Sequence, residues 1–309
     1  MSRIDEALRQ AGMKPPSSVA TAVPPGTLEG FSLAVEGAEP GQPVSAESPA
    51  TDMSVAAPHP IFFERLIVHQ DAAPVAIEQY RRLAAVLHHS QVERGNKVVM
   101  VASAEPAEGK TLTAANLALT LSESYKRRVL LIDADLRRPS LSRLFQLPHA
   151  AGLSDNLKAD HDLPLQLMTL SPSLALLPGG NADADPMSGL TSGRMQQIID
   201  RAAANFDWVI VDTPPVALLT DTHLLAAMVD SAVLVIDAGS TQCAVVQQAI
   251  QSIGRDKIVG VVLNRVEQDV LEESSYSGYY RASSKKRRKR FGGALTESRL
   301  MPGGSEAGG

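Results

Sequence analysis

The sequence predicts an α/β protein in which a mostly parallel sheet carries helices on both faces. Short hydrophobic runs of strand length alternate with longer segments of helical periodicity, the pattern of repeated strand–helix–strand units. This alternation occupies the middle of the 309 residues, and both ends are rich in Pro, Gly, Ser and charged residues. We therefore predict a short amphipathic helix over 1–13, a disordered linker over 14–60, an α/β domain over 61–270 and a flexible tail over 271–309.

The N-terminal helix is predicted from a capping pattern and one apolar face. Ser2-Arg3-Ile4-Asp5 resembles a capping box. The apolar residues that share one helical face are Ile4, Ala7, Leu8 and Ala11. This helix either docks on a partner or on the domain, or it frays at the end of the chain.

A longer helix is predicted near the start of the domain. Its apolar stripe consists of Ile77, Tyr80, Leu83, Ala84 and Leu87. A surface helix packed onto the sheet explains this stripe. The charged face, where Glu78 and Arg81 are three residues apart, could instead pair with a neighbouring subunit.

The central feature of the domain is a phosphate-binding loop. The hydrophobic run that begins at Val98 breaks into a loop of small residues, which ends in Gly109-Lys110-Thr111 before a helix. In such a loop the backbone N–H groups and the helix N-terminus face phosphate, the lysine neutralises it and the hydroxyl holds Mg²⁺. The layout predicts a P-loop NTPase fold. The residues expected to bind nucleotide are Ser103, Ala104, Glu105, Pro106, Ala107, Glu108, Gly109, Lys110, Thr111 and Leu112.

One position departs from the usual pattern of such loops, which begins with glycine. Ala104 occupies that place, and alanine lacks the freedom of glycine at positive φ. We therefore expect the first bend of the loop to use another conformation.

Two hydrophobic strands are predicted to end in carboxylates beside this loop. The strand from Arg128 runs into Asp133 and Asp135, and the strand from Asp207 runs into Asp212. Ligands of parallel sheets bind beyond the carboxyl ends of the strands, which is where these acids would lie. Alternate residues of an extended segment point the same way, so Asp133 and Asp135 would jointly face a metal or a reacting hydroxyl. Asp212 is placed to bind Mg²⁺ through water.

Three further polar residues near these strand ends leave alternatives open. Arg137 and Arg138 follow the acids and would contact phosphate, cap the acids or form a solvated salt bridge. Asn264 follows the last strand and would either bond the adenine edge or serve as an ordinary turn residue. The other predicted elements are strands over Leu174–Leu177, Ser231–Ile236 and Lys257–Leu263 and helices over Met187–Ala203 and Cys243–Ile253.

The tail combines tyrosines with a basic run. Three of the five tyrosines of the chain, Tyr276, Tyr279 and Tyr280, lie in a polar segment where burial is not expected. A hydroxyl on a mobile tail can enter an active site and leave it again, so these tyrosines are candidate phosphoryl acceptors. The run Lys285–Arg290 is either a solvated charge run or a contact for anionic lipid heads, an acidic partner or phosphate.

Composition disfavours several classes of protein. The net charge of −5 argues against general nucleic-acid binding. The single Cys243 excludes an intramolecular disulfide and suits a reducing compartment. No apolar segment approaches the roughly 18–20 residues that span a bilayer, and the N-terminus has no signal-peptide core. We predict a cytoplasmic protein that does not bind nucleic acid.

Taken together, these segments resemble the bacterial tyrosine kinases of capsule and exopolysaccharide synthesis, a family built on a phosphate-loop ATPase. The resemblance runs from about Glu78 to Tyr280. It covers the family's Walker A motif at 103–111, its Walker A′ motif at 131–137 and its Walker B motif at 209–215. The Walker A′ motif is the discriminating one, because ordinary phosphate-loop proteins lack it. Residues 2–8 are similar to the start of the free-standing kinases of exosortase-linked exopolysaccharide systems.

The resemblance implies ATP-dependent autophosphorylation of the tail, in trans within a homo-oligomeric ring. It also implies a membrane chain-length-determinant partner, a polysaccharide co-polymerase, that holds the protein at the inner face of the cytoplasmic membrane, and a cognate tyrosine phosphatase. The ring-forming helix of the family carries Glu-x-x-Arg-x-x-Arg, and Glu78 and Arg81 match it while Ala84 takes the third place. The resemblance therefore supports kinase activity more firmly than ring assembly.

Our hypothesis for the mechanism assigns roles to the residues around the loop. Lys110 would bind the ATP phosphates, and Thr111, Asp133 and Asp212 would position Mg²⁺ directly or through water. Asp133 or Asp135 would accept the proton of the incoming tyrosine hydroxyl.

Two other functions compete with the kinase. Switch ATPases of the ParA/MinD group usually carry an extra lysine near the start of the loop, and Ser103, Ala104 and Glu105 supply none. A non-catalytic, nucleotide-bound scaffold of the polysaccharide export complex is the other alternative. Ala104 leaves room for a scaffold, but the argument for catalysis is the intact set Lys110, Asp133, Asp135 and Asp212. Phosphotyrosine on the purified protein separates the kinase from both alternatives.

Overall fold

A computed structural model describes residues 31–34, 66–67, 74–159, 164–216 and 221–266. The strands of the described chain are β1 Phe31–Ala34, β2 Val98–Ser103, β3 Val129–Asp133, β4 Leu165–Ser171, β5 Leu174–Leu177, β6 Trp208–Asp212, β7 Ser231–Asp237 and β8 Ile258–Asn264. The helices are α1 Pro74–Arg94, α2 Lys110–Glu123, α3 Leu141–Leu144, α4 Leu153–Lys158, α5 Met187–Thr191, α6 Gly193–Asn205, α7 Asp221–Met228 and α8 Cys243–Ile253.

The described strands form one sheet in the order β1-β4-β5-β3-β6-β2-β7-β8. The six strands from β5 to β8 run parallel to one another, whereas β4 pairs with β5 in antiparallel fashion and β1 is parallel to β4. Because β2 lies between β6 and β7, the loop that follows β2 has strand ends on both sides of it. The predicted mostly parallel α/β fold is confirmed.

Two hydrophobic cores cover the two faces of this sheet. All six residues of β2 are buried, and alternate ones belong to different cores. Val99 and Val101 pack in the core that contains α1 and α2, while Met100 and Ala102 pack in the core that contains α6, α7 and α8. Successive strand residues point to opposite faces, so a run of uninterrupted hydrophobic residues satisfies both cores at once.

The predicted helix near the start of the domain is present as α1, which is longer than its apolar stripe. Ala84 and Leu87 are fully buried in the core shared with α2. Glu78 and Arg81 form a half-exposed ion pair with 3.5 Å between their charged atoms. The packing of α1 on the domain is the first of the two alternatives that the sequence left open.

The structure differs from the sequence predictions in three places. Phe31–Ala34 form β1 and pair with β4. The prediction of a disordered linker throughout 14–60 is therefore wrong at these four residues, because their backbone groups bond to the outer edge of β4. The helix predicted over Met187–Ala203 is interrupted at Ser192, where ψ is 146°. Strand β4 was not predicted, although its burial alternates as in a half-exposed strand.

Other predictions fall outside the described residues. These are the helix over 1–13, most of the linker, the tyrosines Tyr276, Tyr279 and Tyr280, and the basic run of the tail. Within the described part of the chain, no helix combines the length and the apolar character needed to cross a membrane.

Candidate nucleotide-binding site

The phosphate-binding loop lies between β2 and α2, as the sequence predicts. Gly109 caps the N-terminus of α2 with a φ of 98° and a ψ of 17°, a left-handed conformation that suits glycine. Glycine is also required there for space, because a Cβ on Gly109 would lie 2.2 Å from Nδ2 of Asn264. The loop therefore ends at Gly109 and α2 begins at Lys110, as the Gly-Lys-Thr motif predicts.

The first bend of the loop, at Ala104, uses no left-handed backbone conformation. Ala104 is fully buried in the core and is not among the residues with positive φ. The left-handed conformation occurs instead at Ala107, whose φ is 65°. Alanine at the first loop position therefore carries no left-handed strain, and the strain lies three residues later.

Lys110 occupies the centre of the site. Its ammonium lies 2.8 Å from Oδ2 of Asp135 and 3.7 Å from Oδ1 of Asp212, and its side chain is only 10% exposed. Burial alone would lower the pKa of Lys110, but the carboxylates of Asp212 and Asp135 outweigh that effect and raise the pKa above its ordinary value. The lysine is therefore charged, and its charge is paired with Asp135 in this structure.

Asp133 and Asp212 face each other across neighbouring strands. They are partners in the parallel register of β3 and β6, and both are fully buried. Oδ2 of Asp133 accepts the backbone N–H groups of Ser140 (2.8 Å) and Leu141 (2.9 Å). Oδ1 of Asp133 and both carboxylate oxygens of Asp212 make no hydrogen bond within the described chain, although the Lys110 ammonium lies 3.7 Å from Oδ1 of Asp212. Buried oxygens of this kind are normally paired, so they indicate a missing cationic or protic ligand.

The electrostatics of these two acids follow from burial and proximity. Burial, reinforced by the neighbouring Asp212, raises the pKa of Asp133 to about 7. Burial also raises the pKa of Asp212, against the opposing charge of Lys110. Two buried carboxylates at one strand register are costly as anions unless a cation joins them.

The residues present fit Mg²⁺. The three oxygens without donors are hard ligands of the type that Mg²⁺ prefers, and the Thr111 hydroxyl lies 3.4 Å from the ammonium of Lys110 at the same place. Within the described chain, no three His, Cys, Asp or Glu side chains form a metal-binding group by themselves. This agrees with the usual binding of Mg²⁺, which takes one or two carboxylates and completes its shell with water and phosphates.

The two arginines after the acids have different surroundings. Arg137 forms a forked pair with the buried Asp221 at the start of α7, with distances of 2.7 and 3.2 Å. It thus caps neither Asp133 nor Asp135, and its salt bridge is to an acid that the sequence did not suggest. Arg138 is exposed, and its backbone N–H donates to Asp135.

The ends of β7 and β8 supply contacts that sequence reasoning missed. Arg265 and Asp237 form an ion pair beside the loop. The hydroxyl of Thr241 and the backbone N–H of Asp237 both donate hydrogen bonds to the carboxylate of Glu108. The amide of Asn264 donates to the carbonyl oxygen of Glu108 at 2.8 Å. The adenine contact of Asn264 stays a prediction. The position of these residues in the sequence could have indicated the contacts, because polar residues that follow parallel strands lie at the same edge of the sheet as the loop.

The remaining predicted loop residues have simple surroundings. Ser103 is buried and its hydroxyl donates to the carbonyl oxygen of Glu105 at 2.8 Å. Glu105 and Pro106 are exposed, and Leu112 packs at the edge of the core shared with α1. These residues therefore shape the loop and leave Lys110 as its charged group.

A buried lysine at a helix start, a glycine-capped loop and two strand-end carboxylates together define a phosphate-loop nucleotide-binding protein. Comparison with known proteins agrees with this class. Residues 99–294 match the family model of the CobQ/CobB/MinD/ParA nucleotide binding domain.

Individual relatives show which group of nucleotide-binding proteins the chain resembles. The chain is 35% identical over 207 residues to tyrosine-protein kinase YwqD of Bacillus subtilis, which covers 66% of this chain and 85% of that protein. It is 33% identical over 211 residues to succinoglycan biosynthesis transport protein ExoP of Rhizobium meliloti, over 66% of this chain and 26% of that protein. The kinase domain of Escherichia coli tyrosine kinase ETK superposes with a TM-score of 0.57 at 30% identity, over 62% of this chain and 78% of that chain.

The chain therefore belongs to the CobQ/CobB/MinD/ParA nucleotide-binding domain family and, within it, to the bacterial tyrosine-protein kinases. This membership confirms the resemblance drawn from the Walker A, Walker A′ and Walker B segments.

Proposed function

We propose that this chain is a Mg·ATP-dependent tyrosine autokinase that regulates exopolysaccharide or capsule assembly. Its substrates are the tail tyrosines Tyr276, Tyr279 and Tyr280 of a second copy of the chain. The observation that carries the proposal is the position of Lys110 between Asp135 and Asp212, next to carboxylate oxygens that no described donor satisfies.

The binding step uses the phosphate loop and its lysine. The loop amides and the positive end of α2 attract the phosphates of ATP. Lys110 exchanges its contact with Asp135 for contacts with phosphate oxygens, and this exchange releases the Asp135 carboxylate. Mg²⁺ would be held by Thr111 and Asp212, with Asp133 reaching it only through water, and would neutralise phosphate charge.

The transfer step needs positioning and one proton acceptor. The tyrosine oxygen attacks the γ-phosphorus, the bond from that phosphorus to the β–γ bridging oxygen breaks, and ADP leaves with the electron pair. We assign Asp133 as the acceptor of the tyrosine proton, because its Oδ1 is unpaired and Oδ2 is fixed by Ser140 and Leu141. Asp135 is the alternative acceptor once Lys110 has moved.

The regulatory role follows from charge. Each phosphate adds about −1.5 to −2 charge to the tail, and the added charges repel one another. Phosphorylated tails would leave the active site and be attracted to the basic run Lys285–Arg290. Similarity to the succinoglycan transport protein ExoP supports a partner of the polysaccharide co-polymerase type at the inner face of the membrane. A homo-oligomer and a cognate phosphatase complete the proposed cycle.

The test is incubation of the purified full chain with Mg·ATP, followed by intact mass and peptide mapping. The parent is expected to gain phosphate on the tail peptides. Lys110→Met is expected to lose at least about 10³-fold in rate, since a charge that stabilises the transferring phosphoryl group is removed. Lys97→Met is the matched control, because Lys97 is an exposed lysine at the opposite end of β2.

A second variant locates the acceptors. The triple variant Tyr276→Phe/Tyr279→Phe/Tyr280→Phe is expected to keep nucleotide binding and lose the phosphate. If the parent gains no phosphate even with the cytoplasmic segment of a membrane partner present, the autokinase proposal is wrong. The switch ATPase and the nucleotide-bound scaffold then take its place, and ATP hydrolysis separates these two.

A further inference from the structure

The phosphate loop has a second set of polar neighbours on the side away from Asp133 and Asp212. The sheet order places β6 and β3 on one side of β2 and β7 and β8 on the other. The acids of the proposed kinase chemistry come from the first side. The second side presents Asp237 at the end of β7 with Thr241 beyond it, and Asn264 at the end of β8 with Arg265 beyond it.

Two of these residues hold carbonyl oxygens of the loop. Nδ2 of Asn264 donates to the carbonyl oxygen of Glu108 at 2.8 Å, and Nη2 of Arg265 donates to the carbonyl oxygen of Ala107 at 2.7 Å. Oδ1 of Asn264 accepts the backbone N–H of Arg265 at 3.0 Å, which fixes the direction of the amide group. The neighbouring residues Asn264 and Arg265 thus bond the carbonyl oxygens of two consecutive loop residues, Glu108 and Ala107.

The geometry of the peptide bond gives this grip a consequence. A trans peptide is planar, and its N–H points opposite to its C=O. Donors on the carbonyls of Ala107 and Glu108 therefore direct the N–H groups of Glu108 and Gly109 away from β8. Neither of these N–H groups has an acceptor within the described chain. Backbone N–H groups without an acceptor at the start of a helix are the groups that bind phosphate.

The side chain of Glu108 ties the same loop to β7. Its buried carboxylate accepts the N–H of Glu105 at 2.8 Å, the N–H of Asp237 at 3.3 Å and the hydroxyl of Thr241. Asp237 in turn forms the ion pair with Arg265. The N–H of Gly239, with Arg265, holds the pKa of Asp237 below its ordinary value, so this acid stays ionised as a partner for the arginine.

The backbone is strained on both sides of this contact. Ala107 has a φ of 65° and Arg265 a φ of 55°, and both are residues that avoid left-handed conformations. Such conformations persist where surrounding contacts fix them. Here the contact that joins the two residues is the hydrogen bond from Arg265 to Ala107.

We propose that Asn264 and Arg265 are positioning residues for the phosphate loop. They act as a clamp that presents the N–H groups of Glu108 and Gly109 to the phosphates of a nucleoside diphosphate or triphosphate. The clamp raises nucleotide affinity by ordering the loop before binding, so less conformational entropy is lost on binding. The proposal deepens the proposed function, since it rests on its nucleotide binding, and it requires nothing of the tyrosine chemistry.

The test measures ADP binding and loop mobility in the full chain. Affinity for fluorescent Mg·ADP is measured by anisotropy. Hydrogen exchange of the loop is followed in nucleotide-free protein at the amide of Glu105, which is bonded to the carboxylate of Glu108. Arg265→Ala is expected to raise the Kd for ADP about tenfold, the equivalent of one hydrogen bond from a charged donor. It is also expected to speed exchange in the loop without changing exchange in β2 and β6.

Two further variants sharpen the result. Asn264→Ala is expected to produce the same pair of effects, and Arg265→Lys to restore part of the affinity through a single donor. Arg255→Ala is the matched control, because Arg255 is an exposed arginine at the other end of β8, and it is expected to change neither readout.

The two readouts also decide against the proposal. Weaker ADP binding with unchanged loop exchange would mean that Arg265 contacts the nucleotide itself. Faster loop exchange with unchanged Kd would mean that the clamp only stabilises the fold. Either result overturns the inference. A chain that binds ADP through the clamp but never gains phosphotyrosine would overturn the proposed kinase and leave the clamp standing.

Discussion

The two sides of the phosphate loop satisfy their polar groups to different extents. On the β3 and β6 side, Oδ1 of Asp133 and both oxygens of Asp212 are buried without a donor from the described chain. On the β7 and β8 side, Glu108, Asp237 and Asn264 use both polar atoms of each side chain in hydrogen bonds. The first side is therefore incomplete without a ligand, and the second is complete without one.

This difference separates groups that react from groups that position. Buried carboxylate oxygens without hydrogen bonds lower the stability of the nucleotide-free protein, because an ionised oxygen there has lost its water. A protein keeps such groups where their charge is used by a ligand or in a reaction. Fully bonded groups contribute stability and hold a fixed geometry. Substitutions on the two sides should therefore change stability in opposite directions.

The largest expected effect is that of Asp133→Asn, which tests the incomplete side. Tail phosphorylation should fall at least about 100-fold, since the proposed proton acceptor is lost. The nucleotide-free protein should become more stable at pH 8, because asparagine still accepts the N–H groups of Ser140 and Leu141 but carries no charge. Intact mass gives the first result, and thermal unfolding in chelator gives the second.

The pH dependence of this stability gain has a definite sign. The fold raises the pKa of Asp133 from its ordinary 3.8 to about 7. Stability from the protonated form is therefore complete below about pH 4 and is lost as the pH rises towards 7. The gain for Asp133→Asn should be larger at pH 8 than at pH 5 and reach at least about 1 kcal/mol, or roughly 2–4 °C in Tm. Unchanged phosphorylation would exclude Asp133 as the acceptor and make Asp135→Asn the next variant.

An intermediate effect of opposite sign is expected for Glu108→Gln on the complete side. The carboxylate of Glu108 accepts from Glu105, Asp237 and Thr241. An amide NH₂ in place of one oxygen would face a donor, so the free energy of unfolding should fall by about 1–3 kcal/mol. Urea unfolding of the nucleotide-free protein measures this loss.

The control for that variant is Glu105→Gln in the same loop. Glu105 is exposed, so its substitution should change the free energy of unfolding by less than about 0.5 kcal/mol. A stability gain in Glu108→Gln, similar to that expected for Asp133→Asn, would show that the two sides of the loop do not differ in the way described.

The smallest expected effects come from glycine substitutions within the loop. Ala107→Gly should be neutral or stabilising by up to about 1 kcal/mol, because it relieves a left-handed φ of 65°. Ala104→Gly should destabilise by about 0.5–1 kcal/mol. Ala104 is buried and does not have a positive φ, so glycine relieves no strain there and only increases the entropy of the unfolded chain. Urea unfolding of both variants beside the parent measures the difference, and the reverse order would contradict the assignment of strain to Ala107.

The sequence by itself determined the local features of this protein. The phosphate loop, the acids at the ends of β3 and β6, and the helix at Cys243–Ile253 follow from patterns within about fifteen residues. Hydrophobic runs, glycine at a helix start and acids after a strand act over short distances, and they predicted that Lys110, Asp133 and Asp212 lie at the same end of the sheet. The tail tyrosines follow from the same kind of pattern and stay a prediction.

Only the tertiary structure decided how distant segments meet. The sheet order places β6 between β2 and β3, and this order brings Asp212 opposite Asp133. It also places Arg265 against Ala107 and Thr241 against Glu108, pairs more than 100 residues apart. Strand order is set by the joint packing of both cores, which no short window of the sequence contains. For that reason the chemical groups of the site were predictable, whereas the partners that hold its loop in place were not.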